Sequence, residues 1–206
     1  MAAKSYRGIY AIKPWWQGRL SYLEALLIRK HVHPDLISLS GLFCAALLGL
    51  VLACSARVPL LVLLVAPLAI GRLAANALDG LVARKTGLAR AWGEVFNECC
   101  DRLADTLIFV GLALNPLVLP YLAWSVLVLI LLCSYLGTVA KAAGGTRQFG
   151  GFLAKADRML YLAAFSYAVF FFSALAWNWL LLAFLAGLLL TIVQRYRWVH
   201  AELESV

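Results

Sequence analysis

Long apolar stretches separated by short polar connections make up the chain after its first 33 residues. This pattern predicts six membrane-spanning helices, of which the first five cover about residues 36–54, 60–84, 91–114, 117–139 and 159–175. The sixth ends near residue 193, and a polar, glycine-rich loop over residues 141–158 precedes the fifth. A helix needs about 20 apolar residues to cross the hydrocarbon core of a bilayer. We therefore expect an all-α integral membrane protein.

The first 33 residues differ from the rest because they mix six basic residues with apolar ones. Within them Trp16, Leu20, Leu23 and Leu27 recur at helical spacing. Such a pattern is typical of an amphipathic helix that lies in the membrane interface. A solvated arm is the alternative interpretation. We divide the chain accordingly into an interfacial arm, residues 1–33, and a six-helix membrane domain, residues 34–206.

The composition excludes a soluble domain. Of the 206 residues, 64% are hydrophobic and only 14% are charged, and the mean hydropathy is +0.88. A soluble fold of this size has no interior large enough for that much apolar surface. The net charge of +8 then indicates loops that face anionic lipid headgroups and not a nucleic-acid surface. Membrane lipids are therefore expected partners, and nucleic acids are not.

The distribution of basic residues predicts the orientation. Fifteen of the 18 lysines and arginines lie in the N-terminal arm, the connection after the second span, the glycine-rich loop and the C-terminus. Of the other three, Arg57 lies on the opposite side, and Arg72 and Arg102 lie within the membrane. Because basic loops stay in the cytoplasm, we expect a multi-pass protein of the cell membrane with both termini cytoplasmic.

The junction of the second and third spans concentrates the acidic residues. Five of the ten lie there: Asp79, Glu94, Glu98, Asp101 and Asp105. A carboxylate inside a membrane is costly unless it is paired or bound, so it marks a functional site. Asn76 and Asp79 lie three apart on one predicted helix, and Asn97, Asp101 and Asp105 lie four apart on the next. Two such polar stripes on neighbouring helices can converge on one ligand, at the cytoplasmic side of the membrane.

The residue types of this cluster indicate its ligand. Oxygen donors without a neighbouring His or Cys favour a hard cation, such as Mg²⁺, Mn²⁺ or Ca²⁺, over zinc. Gly80 lets a substrate approach the backbone, and Arg84, one turn further, can contact phosphate oxygens through its planar fork. Gly93 is aligned with Asn97 and leaves room for a flat base between the helices. Together these residues predict a nucleotide diphosphate held by metal.

At these positions the sequence resembles the CDP-alcohol phosphatidyltransferase family, whose signature is D-x2-D-G-x2-A-R-x8-G-x3-D-x3-D. All spacings match over 26 residues, and two positions differ: Asn76-x2-Asp79-Gly80-x2-Ala83-Arg84-x8-Gly93-x3-Asn97-x3-Asp101. The six predicted spans and the interfacial arm resemble the family over the whole chain.

The resemblance implies transfer of a phosphatidyl group from CDP-diacylglycerol to an alcohol acceptor in phospholipid biosynthesis, with release of CMP. It implies one or two divalent cations, Mg²⁺ or Mn²⁺, and a homodimer. Carried over to this chain, Asp79 is a metal ligand and Asp101 is the general base. The residues that border the CDP moiety are Asp79, Gly80, Ala83, Arg84 and Gly93.

Asn76 and Asn97 stand where the signature has acids, so the site carries two fewer negative charges. Amide oxygens still bind hard cations, and Asp105 is placed to restore one charge, which gives a ligand set of Asn76, Asp79, Asn97, Asp101 and Asp105. A register with Asp101 and Asp105 as the last two acids ranks second, because it breaks the spacing to Gly93. We interpret the cluster as a variant site with fewer or weaker metals. The alternatives are a catalytically impaired relative that binds a nucleotide-lipid or a partner, and a small cation or proton transporter.

Three cations of the glycine-rich loop are candidates for the acceptor site, namely Arg147, Lys155 and Arg158. The positive-inside rule alone would also put them there, so both interpretations stay open. Phosphorylated polyols, glycerol 3-phosphate, serine and inositol are all compatible acceptors. Glu98 and Arg102, four apart on one helix, predict a structural ion pair.

Overall fold

Seven α-helices follow one another in the computed structural model, which describes residues 20–204. Within this range the chain forms no strand. The helices are α1 (Ser21–Arg29), α2 (Pro34–Cys54), α3 (Val65–Lys85), α4 (Ala91–Ala113), α5 (Pro120–Ala142), α6 (Lys155–Phe171) and α7 (Ala176–Leu203). A 3₁₀ helix, Pro59–Leu64, leads directly into α3.

Four segments of the described chain are long and apolar enough to cross a membrane: Pro34–Cys54, Pro59–Lys85, Pro120–Ala142 and Ala176–Leu203. Helix α4 is long enough but carries five charged side chains between Glu94 and Asp105, and α6 has only 17 residues. The all-α membrane class is thus confirmed. The count of six spans and the side on which the termini lie stay predictions.

Local sequence signals explain where several helices begin and end. Proline occupies the first position of α2 and α5, where its missing N–H costs no hydrogen bond. Helix α3 ends at Lys85, one residue beyond the predicted span of about 60–84, and Gly87 follows with a φ of 72°, the left-handed conformation that glycine adopts most readily. At the start of α6, Asp157 Oδ2 accepts a hydrogen bond of 2.8 Å from the backbone N–H of Ala154.

The last two predicted spans need correction in their extent. Helix α6 begins at Lys155 and ends at Phe171, whereas residues 159–175 were expected. Helix α7 continues to Leu203, ten residues beyond the expected end. The reason is Arg195, whose buried guanidinium group donates to backbone carbonyls of α5 and of the glycine-rich loop and so keeps the helix inside the protein. The loop consequently shortens to residues 143–154.

The helices pack in five main pairs. Helix α2 contacts both α3 and α4, α6 lies against α3, and α5 lies between α4 and α7. Their common core includes Leu48, Ile108, Phe109, Leu112 and Trp177, all fully buried. Many other apolar side chains point outward, which suits a bilayer because hydrocarbon solvates them.

Two glycines set the distance between α2 and α4. A Cβ atom added at Gly111 would overlap the backbone of Gly49, and one added at Gly49 would overlap the carbonyl group of Leu107. Close backbone contact through small residues is a main source of helix association in membranes. The two helices that supply Ser38 and Asp101 to the cleft described below are therefore held together near their opposite ends.

Helix α1 is the described part of the N-terminal arm. Leu20 is buried and Leu27 packs on the same apolar cluster, but Leu23 is 44% exposed. Glu24 forms an ion pair of 2.7 Å with Lys85 at the end of α3. Two positions of the predicted apolar face, Leu20 and Leu27, thus pack against the protein and Leu23 does not. The first position of that face, Trp16, lies outside the described residues. The interfacial role of the arm and the division at residue 33 stay predictions.

We predict that Gly111→Leu destabilises the protein, because its side chain has no space against the α2 backbone. Overpacking of this kind costs about 1–3 kcal/mol. The midpoint of thermal unfolding in detergent, followed by intrinsic tryptophan fluorescence, should fall by several degrees. Gly71→Ala is the matched control, since its new Cβ atom would lie 3.5 Å from Cys44 Sγ, an ordinary contact. Equal midpoints for Gly111→Leu and the unmodified protein would contradict the assigned helix contact.

Candidate active site

A cleft of about 1130 Å³ lies between the helices and collects residues from α2 to α7. Eleven of the twelve site residues predicted from the sequence line it: Asn76, Asp79, Gly80, Ala83, Arg84, Gly93, Asn97, Asp101, Arg147, Lys155 and Arg158. The twelfth, Asp105, does not. Residues as far apart in the chain as Asn76 and Arg158 thus share one cavity. This proximity is required if they are to act on one substrate.

The two polar stripes converge at the bottom of this cleft. A small cavity of about 10 Å³ is lined by Asn76 and Asp79 of α3 and by Asn97 and Asp101 of α4. A volume of this size accommodates roughly one water molecule. The helical spacing of these side chains therefore predicted their convergence correctly.

Asp79 is buried, and both of its carboxylate oxygens accept hydrogen bonds. Ser38 Oγ on α2 donates to Oδ2 at 2.8 Å, and the backbone N–H of Gly80 donates to Oδ1 at 2.5 Å. Sequence reasoning missed Ser38. The available signal was a serine three residues before Gly41 in an otherwise apolar helix, a combination of small residues that lets another helix approach closely.

Asp101 joins three helices. Asn76 Nδ2 on α3 donates to Asp101 Oδ1 at 3.0 Å, and the ammonium group of Lys155, the first residue of α6, forms an ion pair with the same oxygen. The side chains of Asp101 and Lys155 are only 15% and 23% exposed. A largely buried ammonium group consequently lies next to the predicted metal cluster.

The donor chemistry of the cluster fits a hard divalent cation. The small cavity offers two carboxylates and two amide groups, and Mg²⁺ is commonly held by one or two carboxylates completed by substrate phosphates. Among residues 20–204 no group of three or more His, Cys, Asp or Glu side chains is arranged to hold a metal without such help. The residues present therefore suit a cation that binds together with its substrate.

Asp105 has a different environment from the one expected of a metal ligand. It is fully buried below the cluster and forms ion pairs with Arg72 at 3.0 Å, Arg102 at 3.3 Å and Arg158 at 3.5 Å. Its carboxylate is surrounded by guanidinium groups and does not reach the cleft. Spacing alone did not reveal this, because the three arginines lie on three helices.

The predicted CDP-binding residues line one wall of the cleft, which consists of the end of α3 and the start of α4. A Cβ atom added at Gly80 would lie 3.2 Å from Arg84 Nη1, so the guanidinium group of Arg84 folds back over this glycine. At the rim, Arg90 Nη2 donates to Asp35 Oδ2 at 2.5 Å, which ties the connection between α3 and α4 to the start of α2. A flat wall and a guanidinium group suit a phosphate-bearing ligand.

The predicted acceptor residues all have carboxylate partners. Arg147 forms ion pairs with Glu98 and, at 3.5 Å, with Glu94, while Lys155 and Arg158 pair with Asp101 and Asp105. The predicted ion pair between Glu98 and Arg102 is present at 3.2 Å.

Arg195 also lines the cleft and was not predicted as a site residue. It donates to the carbonyl oxygens of Cys133 at 2.5 Å, Phe149 at 2.8 Å and Gly150 at 2.8 Å. Sequence reasoning missed it because a basic residue after the last span is already explained by membrane orientation. The guanidinium group connects α7 to α5 and to the loop above the cleft.

Comparison with known proteins identifies relatives of this chain by sequence. No protein-family model matches the chain. The chain is 34% identical over 197 residues to the inner membrane protein YnbA of Escherichia coli K12, which covers 93% of this chain and 96% of YnbA. It is 29% identical over 154 residues to the phosphatidylinositol phosphate synthase of Cutibacterium acnes, 70% of each protein.

Solved structures share the fold. The phosphatidylinositol phosphate synthase PgsA1 of Mycobacterium tuberculosis, in complex with manganese and citrate, superposes with a TM-score of 0.69 at 24% identity, over 86% of this chain and 87% of that one. The same synthase with CDP-DAG bound gives a TM-score of 0.67 over 91% and 92%. This likeness shows that the fold is shared, and the spacing of the motif and the sequence relatives indicate the family. The chain is a membrane protein that belongs to the CDP-alcohol phosphatidyltransferase family.

Proposed function

We propose that this protein transfers a phosphatidyl group from CDP-diacylglycerol to an alcohol acceptor and releases CMP, a reaction of phospholipid biosynthesis. The observation that carries the proposal is one cleft in which the polar residues of α3 and α4 meet the cations Arg147 of the glycine-rich loop and Lys155 and Arg158 of α6. Its relatives support the same reaction, since they include phosphatidylinositol phosphate synthases and a synthase structure with CDP-DAG bound.

The donor half of the cleft holds the nucleotide. Gly80, Ala83 and Gly93 leave space along the wall for the CDP moiety, and Arg84 lies where it can contact a phosphate oxygen. Asp79 and Asp101, with the amides Asn76 and Asn97, are the residues that would hold Mg²⁺ or Mn²⁺. When bound, the cation supplies neutralisation of the pyrophosphate charge and so favours departure of CMP.

Asp101 is the proposed general base. Its carboxylate lies between the oxygen cluster and the ammonium group of Lys155 on α6, so an acceptor hydroxyl held between the two would be within its reach. A positioned base of this kind contributes about 10²–10⁴-fold to a rate. Arg147, Lys155 and Arg158 are the proposed acceptor-binding residues. To bind an anionic acceptor, each must share its charge with its present carboxylate partner.

The proposal includes the membrane arrangement. Six spans, with α4 and α6 added to the four long apolar segments, put both termini and the cleft on the cytoplasmic side, and residues 1–33 form an interfacial arm. The fifteen basic residues on that side support this orientation. A homodimer, implied by the family resemblance, is part of the same proposal.

We predict that the purified protein releases CMP from CDP-diacylglycerol in the presence of Mg²⁺ or Mn²⁺ and a suitable alcohol. Asp101→Asn should lower the rate of CMP release by about 10²–10⁴-fold, because an amide cannot take the acceptor proton. The assay follows CMP by chromatography with a panel of acceptors that includes inositol phosphate, glycerol 3-phosphate, serine and inositol. Glu204→Gln, the same chemical change on an exposed residue outside the cleft, is the control and should retain full activity. Absence of CMP with every acceptor would refute the proposed reaction.

We predict that Asp105→Asn affects folding more than metal binding. The change leaves the buried guanidinium groups of Arg72 and Arg158 without a carboxylate partner, and breaking a buried pair in this way costs about 3–5 kcal/mol. Thermal unfolding in detergent should shift to a much lower temperature, while Mn²⁺ still binds below the unfolding transition. Loss of Mn²⁺ binding by a variant with normal unfolding would instead make Asp105 a metal ligand.

The orientation can be tested by labelling in a variant without native cysteines. A cysteine at the exposed position Ala143 should react with a membrane-impermeant maleimide only in inverted vesicles, since the glycine-rich loop is proposed to be cytoplasmic. A cysteine at the exposed position Arg57 should react only in intact spheroplasts. Labelling of both positions from the same side would contradict the proposed number of spans.

A further inference from the structure

Lys155 occupies an unusual position for a lysine. Its ammonium group pairs with Asp101, which itself lines the small cavity between α3 and α4, and the lysine side chain is only 23% exposed. Burial of an ammonium group is unfavourable unless an anion compensates it. Asp101 is the partner that the structure provides, so this carboxylate faces a fixed positive charge on one side and the cavity on the other.

The charge of the cluster differs from that of the signature it resembles. The signature has four acids at positions where this chain has Asn76, Asp79, Asn97 and Asp101, that is, two acids and two neutral amides. Lys155 then offsets one of the two remaining negative charges. A single divalent cation is well matched to what is left, whereas a second one would add two positive charges beside an ammonium group in a poorly solvated pocket.

The contacts within the cluster lead to the same conclusion. Asn76, Asp79, Asn97 and Asp101 line the large cleft and also a small cavity of about 10 Å³, the size of one water molecule. Asn76 Nδ2 and the Lys155 ammonium group both approach Asp101 Oδ1, which occupies this oxygen with protein donors. The oxygens that line the cavity and remain for a cation are those of Asp79, Asn97 and the amide group of Asn76, and the other carboxylate oxygen of Asp101.

We propose that this site binds one divalent cation and that Lys155 supplies, at Asp101, the positive charge that a second cation would supply. The ammonium group stabilises negative charge that develops on the transferred phosphate, which a fixed cation in a water-poor site does well. The inference rests on the proposed function for its catalytic part. Its metal-binding part is measurable without turnover.

The test is the number of Mn²⁺ ions bound by the full chain in lipid nanodiscs, in the presence of CDP, measured from the electron paramagnetic resonance of free Mn²⁺. We expect one Mn²⁺ per chain. The variant with Asn76→Asp, Asn97→Asp and Lys155→Gln should bind two, with the dipolar broadening of a close Mn²⁺ pair. Two Mn²⁺ ions in the unmodified protein would overturn the proposal, because Lys155 would then not take the place of a second cation. Absence of bound Mn²⁺ would overturn it as well, because the site would then hold no divalent cation.

Single variants separate the role of the charge from that of the fold. Lys155→Gln should still bind one Mn²⁺, about tenfold more tightly because the repelling ammonium group is gone, and should release CMP about a hundredfold more slowly. Lys155→Arg keeps the charge and should retain most of the activity. Lys85→Gln, which removes a lysine that pairs with Glu24 away from the cleft, is the matched control and should change neither quantity.

The two proposals fail in different ways. CMP release by a protein that binds two Mn²⁺ ions would overturn the inference on Lys155 and leave the proposed reaction intact. One bound Mn²⁺ without CMP release for any acceptor would refute the reaction and support the single-cation site. Unchanged CMP release in Lys155→Gln would overturn the assigned role of the ammonium group.

Discussion

The buried carboxylate of Asp105 is the interaction on which the site depends. It accepts ion pairs from Arg72 on α3, Arg102 on α4 and Arg158 on α6. Arg72 and Arg158 are almost fully buried, and three guanidinium groups gathered in this way would be prohibitively costly without an anion between them. The second carboxylate that relieves this excess is Glu98, which pairs with Arg102 at 3.2 Å. The three helices can therefore pack only where these groups meet.

This constraint fixes the register between α3 and α4. Arg72 pairs with Asp105, and one turn further along α3 Asn76 donates to Asp101, one turn earlier on α4. The helices run antiparallel at this contact, so the next turn of each helix brings Asp79 and Gly80 toward Asn97. Asp79 and Asn97 indeed line the same small cavity. A shift of one residue in α4 would turn Asp101 by about 100° away from the cavity. The ion pair below the cluster thus determines which oxygens the cluster presents.

Much of this arrangement was predictable from the sequence because its signals are local. The three- and four-residue spacings placed Asn76 with Asp79 and Asn97 with Asp101 on single helix faces, and apolar stretches of membrane length identified the helices that carry them. The role of Asp105 was not predictable in this way. It continues the stripe of Asp101, and only the meeting of three distant helices shows that its partners are arginines. The partners of Ser38 and Arg195 were not predictable either, since they lie 41 and 45 or more residues away in the chain.

The contact between Asn76 and Asp101 explains how a neutral amide fits at position 76. Two carboxylates within 3.0 Å of each other repel strongly, and they need a cation between them to remain ionised. With an amide at position 76, the same contact becomes a hydrogen bond that the protein makes by itself. Lys155 completes this internal compensation from α6. In the proposed single-cation site, the chain's own donors thus compensate part of the negative charge that bound metal would otherwise compensate, and Asp79 is the carboxylate proposed to hold the cation together with its substrate.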